Sequence, residues 1–314
     1  SATLNDKRSF DVVLLDKTEK TVSRTQLLRF PATTLPTAQK ILHAGGVQGL
    51  PRFYPVQQAM FNAADKAGHR FYGGFQRLKR KWVWNKGTTG SDFQDGQFKD
   101  LAVYEYFSFD SRQAFEVFYN TVPQDCKFFF EMAREDTMVK LYLDVDDEAD
   151  TQSRSKLDET IPLLCEYYQA KFDKPLDAKH VAVTDGSRQK TSCYKNSFHL
   201  TVCNGHGLVA PNIGEDGDMK TFVHGFVAHL ESIGRSDLAA AIDKGVYTPN
   251  RMMRMIGSCK ADDTTRTPFR ILGDGDPADY YIQSDEALDL VELPAKMSAA
   301  QNGQTCAPCK RQPG

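Results

Sequence analysis

The sequence lacks several features that mark specialised classes of protein. It has no run of roughly 18 to 20 consecutive apolar residues, so it predicts no membrane span. The first residues, Ser1 to Arg8, lack the apolar core of a signal peptide. The seven cysteines are odd in number and mostly scattered, which favours reduced thiols over a disulfide framework. Together these absences favour an intracellular protein.

Charge of one sign is not in excess either. The 39 Lys and Arg residues stand against 41 Asp and Glu residues, for a formal net charge of −2. A surface that binds a polyanion must therefore gather its cations locally. The chain does have 314 residues, of which 40% are hydrophobic and 25% charged. This composition is typical of a globular protein with one large domain or two modest ones.

Hydrophobic periodicity predicts a mixed α/β (α+β) chain after an irregular lead-in over residues 1–50. Helical spacing predicts helices over 38–43, 56–67, 111–119, 156–172 and 219–233, and one from Ser284. Alternation predicts strands over 77–84, 103–109, 127–132, 138–145, 180–183, 197–202, 252–256 and 269–272. A loop is predicted over 86–95 and a polar end from Ala299.

The first cluster of functional interest is an apolar strand that runs into carboxylates, Leu141-Tyr-Leu-Asp-Val-Asp-Asp-Glu148. Residues two apart share a face of a strand, so Asp144 and Asp146 project together while Val145 points into the core. Paired oxygen ligands on one rigid face suit Mg2+ or Mn2+ bound to a phosphate. A strand that merely ends in an acidic turn has the same pattern.

Two further stretches carry donors for phosphate. In Lys195-Asn-Ser-Phe-His-Leu200, alternation places Lys195, Ser197 and His199 on one face, although a half-buried strand with a polar outer face looks the same. The stretch from Asp243 to Lys260 sets one acid before Arg251, Arg254 and Lys260 in an otherwise apolar run. Arginine is favoured where phosphates are held with fixed geometry, while ordinary surface cations are the alternative.

The three clusters together contain three acids for metal and six donors for a triphosphate, which is the set that nucleotidyl transfer requires. Their order, KLYLDVD, KNSFHLTV and DKGVYTPNRMMRMIGSCK, resembles the three motifs of the archaeo-eukaryotic primase (AEP) superfamily. The third stretch is most similar to PrimPol-like primase-polymerases, and the first two also resemble the primase domain of large DNA virus primase-helicases. The resemblance covers residues 103–272.

This resemblance implies an N-terminal α/β module and a catalytic module with an antiparallel sheet like that of RNA-recognition motifs. It implies a lead-in with template-side elements over 1–100, a catalytic core over 101–295 and a flexible tail over 296–314. Asp144, Asp146 and Asp243 would be catalytic ligands of two Mg2+ or Mn2+ ions. The incoming nucleotide would be held by Lys195, Ser197, His199, Arg251, Arg254 and Lys260. The strand over 103–109 departs from the family by carrying no basic residue.

A basic, aromatic stretch, Arg77-Leu-Lys-Arg-Lys-Trp-Val-Trp84, holds both tryptophans of the chain. Bases stacking on Trp82, beside phosphates neutralised by Arg77, Lys79, Arg80 and Lys81, would bind a single-stranded DNA template. Tryptophans packed in the core with lysines in water are the alternative. Cys306 and Cys309 have the spacing of half a structural zinc site, whose other ligands would lie in a longer chain, and two unpaired thiols in a frayed tail are the favoured alternative.

The leading hypothesis is a DNA primase-polymerase, a nucleotidyltransferase that acts on single-stranded DNA and nucleoside triphosphates, with a fused or associated helicase or single-strand binding protein as a further partner. A non-catalytic single-stranded nucleic-acid binding module and a metal-dependent DxD glycosyltransferase are the alternatives. The expected location is the nucleus or mitochondrion for a eukaryotic protein and the infected host cell for a viral one. The sequence leaves open the choice between ribo- and deoxyribonucleotides.

Overall fold

A computed structural model describes residues 2–4, 9–13, 19–23, 37–86, 93–135, 137–213, 218–263 and 265–283, without the side chains of 2–23 and 80–98. The chain divides into two compact units, Ser1–Phe130 with Ser258–Arg266, and Glu131–Gly257 with Thr267–Gly314. Among the described residues, no helix is both long and apolar enough to cross a membrane.

The first unit is built on antiparallel strands and short helices. Its strands are β1 (Ala2–Leu4), β2 (Ser9–Val13), β3 (Glu19–Ser23), β4 (Phe71–Lys86) and β5 (Phe93–Phe109). Its helices are α1 (Ala38–Ala44), α2 (Gln57–Ala67) and α3 (Arg112–Thr121). Strands β1 to β3 form one antiparallel sheet, and β4 pairs with β5 along a long hairpin from Phe71↔Phe109 to Lys86↔Phe93.

Local signals set the ends of the helices in this unit. Gly68 follows α2 in the left-handed conformation with φ 72°, which a glycine adopts without a steric penalty. The side chain of Ser111 accepts a hydrogen bond from the backbone N–H of Ala114 and so caps α3. The core is aromatic: the ring of Phe129 lies 5.0 Å from that of Phe75 and 5.7 Å from that of Phe107.

The second unit begins within β6 (Phe129–Ala133) and contains an antiparallel sheet covered by helices. Its remaining strands are β7 (Met138–Lys140), β8 (Tyr142–Ala149), β9 (Val181–Asp185), β10 (Arg188–Gln189), β11 (Tyr194–Val202), β12 (Val209–Pro211), β13 (Arg251–Arg254) and β14 (Arg270–Leu272). Its helices are α4 (Ser155–Phe172), α5 (Met219–Ser232) and α6 (Ser236–Ala241).

Strand β11 is the centre of this sheet. It pairs with β8 on one side and with β9 on the other, β14 pairs with β9, and β10 pairs with the first residues of β11. The apolar faces of α4 and α5 bury Tyr168 and Phe222 with the inward side chains of the sheet. The fold is therefore α+β with antiparallel sheets, as predicted.

Most predicted elements are confirmed with shifted ends, and several expectations differ. Residues 1–50 contain the sheet of β1 to β3 as well as the predicted helix α1. The predicted strand over 138–145 is two strands, because β7 pairs with β12 while β8 pairs with β11. Helix α6 was not predicted, since its six residues are too short for periodicity to mark.

Other expectations fall outside the described residues. The loop predicted over 86–95 is wrong at its ends, because residue 86 ends β4 and residues 93–95 begin β5, and its middle, 87–92, is not described. The helix predicted from Ser284, the polar end from Ala299 and the Cys306 and Cys309 pair also lie outside the described residues.

Candidate active site

The antiparallel pairing of β8 and β11 brings the first two sequence clusters together. In this register Asp144 lies opposite His199, and Asp146 lies opposite Ser197. Between the two acids, Val145 is buried in the core with 1% of its surface exposed. The alternation predicted for Asp144 and Asp146 is therefore confirmed, and their carboxylates are set beside the donors of β11.

The third acid is fixed to the first by the backbone. Residues Val145 and Ile242 form an isolated antiparallel bridge, and the N–H of Asp243 donates to the carbonyl of Asp144 at 2.9 Å. The side chain of Asp243 accepts from the N–H of Gly245 at 2.8 Å, which caps a short 3-10 turn. Asp243 thus reaches β8 from the end of α6.

A buried tyrosine pair secures the segment that follows Asp243. The hydroxyl of Tyr247 donates to the carbonyl of Tyr142 at 2.6 Å, next to the acidic pair along β8. The hydroxyl of Tyr142 in turn donates to the amide oxygen of Asn212 at 2.7 Å, and the Asn212 amide nitrogen donates to the carbonyl of Thr248 at 2.9 Å. Because these groups are buried, their hydrogen bonds hold the loop against β8.

The pKa values of Asp144 and Asp146 on β8 are displaced in opposite directions. Burial, followed by the charges of Asp146 and Asp243, raises the pKa of Asp144 to about 7. Burial acts in the same direction on Asp146, but hydrogen bonds from Lys195 and Ser197 outweigh it and hold the pKa of Asp146 below its usual value. Asp144 is therefore the carboxyl group that most needs a further positive partner.

Lys195 and His199 occupy the predicted face beside the acids. The Lys195 ammonium lies 2.6 Å from Oδ2 of Asp146, with both side chains partly exposed. The Nε2 atom of His199 lies 3.8 Å from Oδ1 of Asp144. Lys195, Ser197 and His199 are thus confirmed as neighbours of the acidic pair, although their predicted contact with a nucleotide stays a prediction.

The two arginines of β13 reach different parts of the same neighbourhood. The positive charge of Arg251 acts on Asp144 and partly opposes the rise in the pKa of that carboxyl group. The guanidinium of Arg254 lies over the ring of Phe269, 4.0 Å from its centroid, and His199 packs against the same ring at 4.2 Å. Both arginines belong to the second unit, as do the three acids and the donors of β11.

Lys260 belongs to the first unit and is described with it. Its segment is held there by hydrogen bonds: the N–H of Ala261 donates to Oε1 of Gln76 at 2.8 Å, and the N–H of Cys259 donates to the carbonyl of Lys127 at 2.8 Å. The predicted part of Lys260 in nucleotide binding stays a prediction.

The basic stretch predicted to bind template lies in β4, so the predicted strand is confirmed. Arg77 is largely enclosed, with its Nε atom 2.5 Å from Oε1 of Glu105, whereas Lys79 is exposed. The side chains of Arg80, Lys81 and Trp82 lie outside the described ones, and their predicted contact with single-stranded DNA stays a prediction.

The carboxylates fit a divalent cation by their chemistry. Oδ1 of Asp144 and Oδ1 of Asp146 are buried and accept no hydrogen bond from any described residue. Such atoms are costly without a ligand, and a hard cation is the ligand that carboxylate oxygens prefer. Within the described ranges, however, no three His, Cys, Asp or Glu side chains form a closed metal-binding group. Asp144 and Asp146 are thus the centre of the predicted site, while Oδ1 of Asp243 accepts from the N–H of Gly245.

Sequence reasoning missed the residues that support the site. Phe269 stands directly before β14 and was assigned only to a strand, although its ring touches two predicted donors. Tyr247 and Asn212 lie in loops with no pattern that marks them. Only Tyr142 carried a signal, because it lies two residues before Asp144 and therefore shares the face of the acidic pair on β8.

An α+β fold in which an acidic strand pairs with a Ser-x-His strand, joined by a third acid and two arginines, defines a primase-like domain. Residues 106–271, just over half of the chain, match the family described as the C962R protein N-terminal AEP domain. The chain belongs to this family of the archaeo-eukaryotic primase superfamily, which confirms the predicted resemblance. A search of curated proteins finds no match to the chain.

Proposed function

We propose that this protein is a DNA primase-polymerase that joins nucleoside triphosphates on a single-stranded DNA template. The observation that carries the proposal is the register of β8 and β11, which sets Asp144 opposite His199 and Asp146 opposite Ser197. A strand of acids facing a strand of cationic and hydroxyl donors suits a metal-bound triphosphate. Membership of the AEP family supports the same reaction class.

In this proposal Asp144, Asp146 and Asp243 hold Mg2+ or Mn2+. The bound ions would supply a lowered pKa for the attacking 3′-hydroxyl group and charge neutralisation on the leaving pyrophosphate. Ser197 donates from its hydroxyl group, and His199 and Arg254 orient the triphosphate from the side of Phe269. The fixed arginines stabilise negative charge as it moves towards the leaving group.

Lys195 has two partners in this proposal. Without substrate its ammonium group neutralises Asp146 at 2.6 Å. A triphosphate and its cations would compete for both members of this pair, so Lys195 would turn from the carboxylate to a phosphate oxygen. Because the ion pair is partly exposed, breaking it costs little free energy.

Metal-dependent extension of a primer on single-stranded DNA tests the proposal, with Asp146→Asn compared against Asp147→Asn. The two acids are adjacent on β8 but alternate in direction, and Asp147 pairs with Lys156. We expect Asp146→Asn to abolish extension while Asp147→Asn retains it. Equal activity of the two variants would contradict the assignment of the acidic face.

A non-catalytic module that binds single-stranded nucleic acid is the second candidate. It is favoured by the ion pair of Lys195 with Asp146 and by the lack of a closed three-ligand group among the described residues. Binding of single-stranded DNA without incorporation, in Mg2+ and in Mn2+, would support this candidate against the first.

A further inference from the structure

Phe269 lies between two of the donors assigned to the triphosphate. Its side chain is 2% exposed. The imidazole ring of His199 lies 4.2 Å from its centroid with a tilt of 36°, and the guanidinium carbon of Arg254 lies 4.0 Å from the same centroid. His199 comes from β11 and Arg254 from β13, so one ring joins donors from two separate strands.

The edge of the Phe269 ring packs against Gly186, and the backbone of Phe269 is hydrogen-bonded. A methyl group added to Gly186 would lie 2.4 Å from Cε2 and 2.7 Å from Cζ of Phe269, far inside contact distance. The carbonyl of Phe269 accepts from the N–H of Gly257 at 2.7 Å, and the N–H of Gly186 donates to the carbonyl of Ser197 at 2.8 Å. The ring therefore occupies the space that a side chain at position 186 would fill.

Glycine at position 186 has no conformational explanation. Its φ angle is not among the positive ones of the described chain, so an alanine would adopt the same backbone. The close approach of the Phe269 ring explains the glycine instead. Gly186 and Phe269 thus form a matched pair beside β11.

We propose that Phe269 is a positioning residue of the nucleotide site, which fixes the imidazole of His199 and the guanidinium of Arg254 before the triphosphate binds. An aromatic face attracts a guanidinium, and a donor already held in place loses less freedom when a ligand arrives. The inference rests on the proposed function, because it takes the ligand to be the triphosphate of a nucleotide.

Equilibrium binding of dATP and of ATP with Mg2+, measured by calorimetry, tests the inference with Phe269→Leu and Phe222→Leu. Phe222 is the matched control, since it is also 2% exposed in the same unit but packs its ring on Tyr167 and Phe172. We expect Phe269→Leu to weaken nucleotide binding by about tenfold. Phe222→Leu should lower the melting temperature and leave nucleotide affinity within about twofold of the wild type.

Gly186→Ala provides a second test if Phe269→Leu fails to fold. The added methyl group displaces the ring without changing its chemistry, so nucleotide affinity should fall in the wild-type background. In the Phe269→Leu background the shorter side chain leaves room, and Gly186→Ala should have no further effect. Such non-additivity is the result expected of two residues in contact.

Two results would overturn the inference: equal nucleotide affinities of Phe269→Leu and Phe222→Leu, or the same effect of Gly186→Ala in both backgrounds. Failure of the proposed function looks different. A wild-type protein that neither binds nor incorporates nucleotide would overturn the proposed function and this inference with it. A wild-type protein that does both, beside a Phe269→Leu variant with unchanged KM, would overturn the inference alone.

Discussion

Asp144 and His199 face each other across the antiparallel pair of β8 and β11, with Oδ1 of the acid 3.8 Å from Nε2 of the imidazole. This oxygen is buried and accepts no hydrogen bond from the described residues. The relationship joins the first two sequence motifs in one site.

Replacing Asp144 with Asn should separate activity from stability. Burial and two neighbouring carboxylates raise the pKa of Asp144 to about 7, so its ionised form is unfavourable without a cation. The variant should therefore melt at or above the temperature of the wild type, while nucleotide incorporation falls at least about 100-fold. Calorimetric melting beside a primer-extension assay measures both effects. A variant that lost stability and kept activity would contradict the assignment.

Glu131 should make folding stability depend on pH. Its carboxylate is buried, accepts from the N–H groups of Ile282 and Gln283, and burial raises its pKa to about 7. The folded protein therefore holds this proton more tightly than the unfolded chain does. Its contribution is fully present below about pH 4.5 and is lost as the pH rises through about 7, by about 3 kcal/mol.

Urea unfolding of Glu131→Gln and wild type between pH 4.5 and 8 measures this contribution. The difference in free energy of unfolding between the two proteins should change across that range, because the variant carries no titrating group there. Glu135→Gln, at an exposed position in the same unit, should follow the wild type at every pH. A difference that is constant with pH would show that Glu131 is ionised throughout.

Arg77 and Lys79 should behave differently although both lie in the predicted template-binding stretch. Arg77→Ala leaves the carboxylate of Glu105 buried without its ion pair, which typically destabilises a protein by about 3 to 5 kcal/mol. Lys79→Ala removes an exposed cation, so it should leave stability nearly unchanged and weaken binding of single-stranded DNA. If Lys79→Ala loses one phosphate contact, the slope of the logarithm of the DNA-binding constant against the logarithm of salt concentration should become shallower by about 0.7. Melting and fluorescence titration at several salt concentrations distinguish the two effects.

Tyr247→Phe should loosen the segment that carries Asp243. The lost hydroxyl group leaves the buried carbonyl of Tyr142 without its hydrogen bond at 2.6 Å, at a cost of about 1 to 2 kcal/mol. Because Asp243 is joined to β8 only a few residues away, incorporation should also fall. Urea unfolding and primer extension check the two effects, and full activity in a destabilised variant would show that Asp243 needs no such support.

Alternation along the strands was the part of the site that the sequence could predict. The shared face of Asp144 and Asp146 and that of Lys195, Ser197 and His199 follow from the period of two in a strand. Which residue of β11 lies opposite Asp144 depends on register, which side-chain alternation alone does not determine. The division of the predicted strand at Leu141 depends on a second partner strand, β12, whose three residues carry little pattern.

The supporting residues depend on contacts between distant parts of the chain, which periodicity does not encode. Phe269 meets His199 and Arg254 because β14, which it precedes, pairs with β9 and because its carbonyl accepts from Gly257, and Asn212 reaches Tyr142 from a loop. The requirement for glycine at position 186 also depends on a distant contact, because it follows from the close approach of the Phe269 ring. The predicted roles in metal and nucleotide binding came from the family resemblance, because hydrophobic periodicity does not indicate them.

Synthesis on unprimed single-stranded DNA with labelled nucleotides, in Mg2+ and in Mn2+, is the most direct test of the proposed nucleotidyl transfer when wild type is compared with Asp144→Asn. We expect wild-type products that require the added metal, disappear with a chelator and are absent from the variant. Products of equal yield from both proteins would contradict the assigned site. No incorporation by the wild type on primed or unprimed DNA, with DNA binding intact, would contradict the proposed enzyme and favour the binding module.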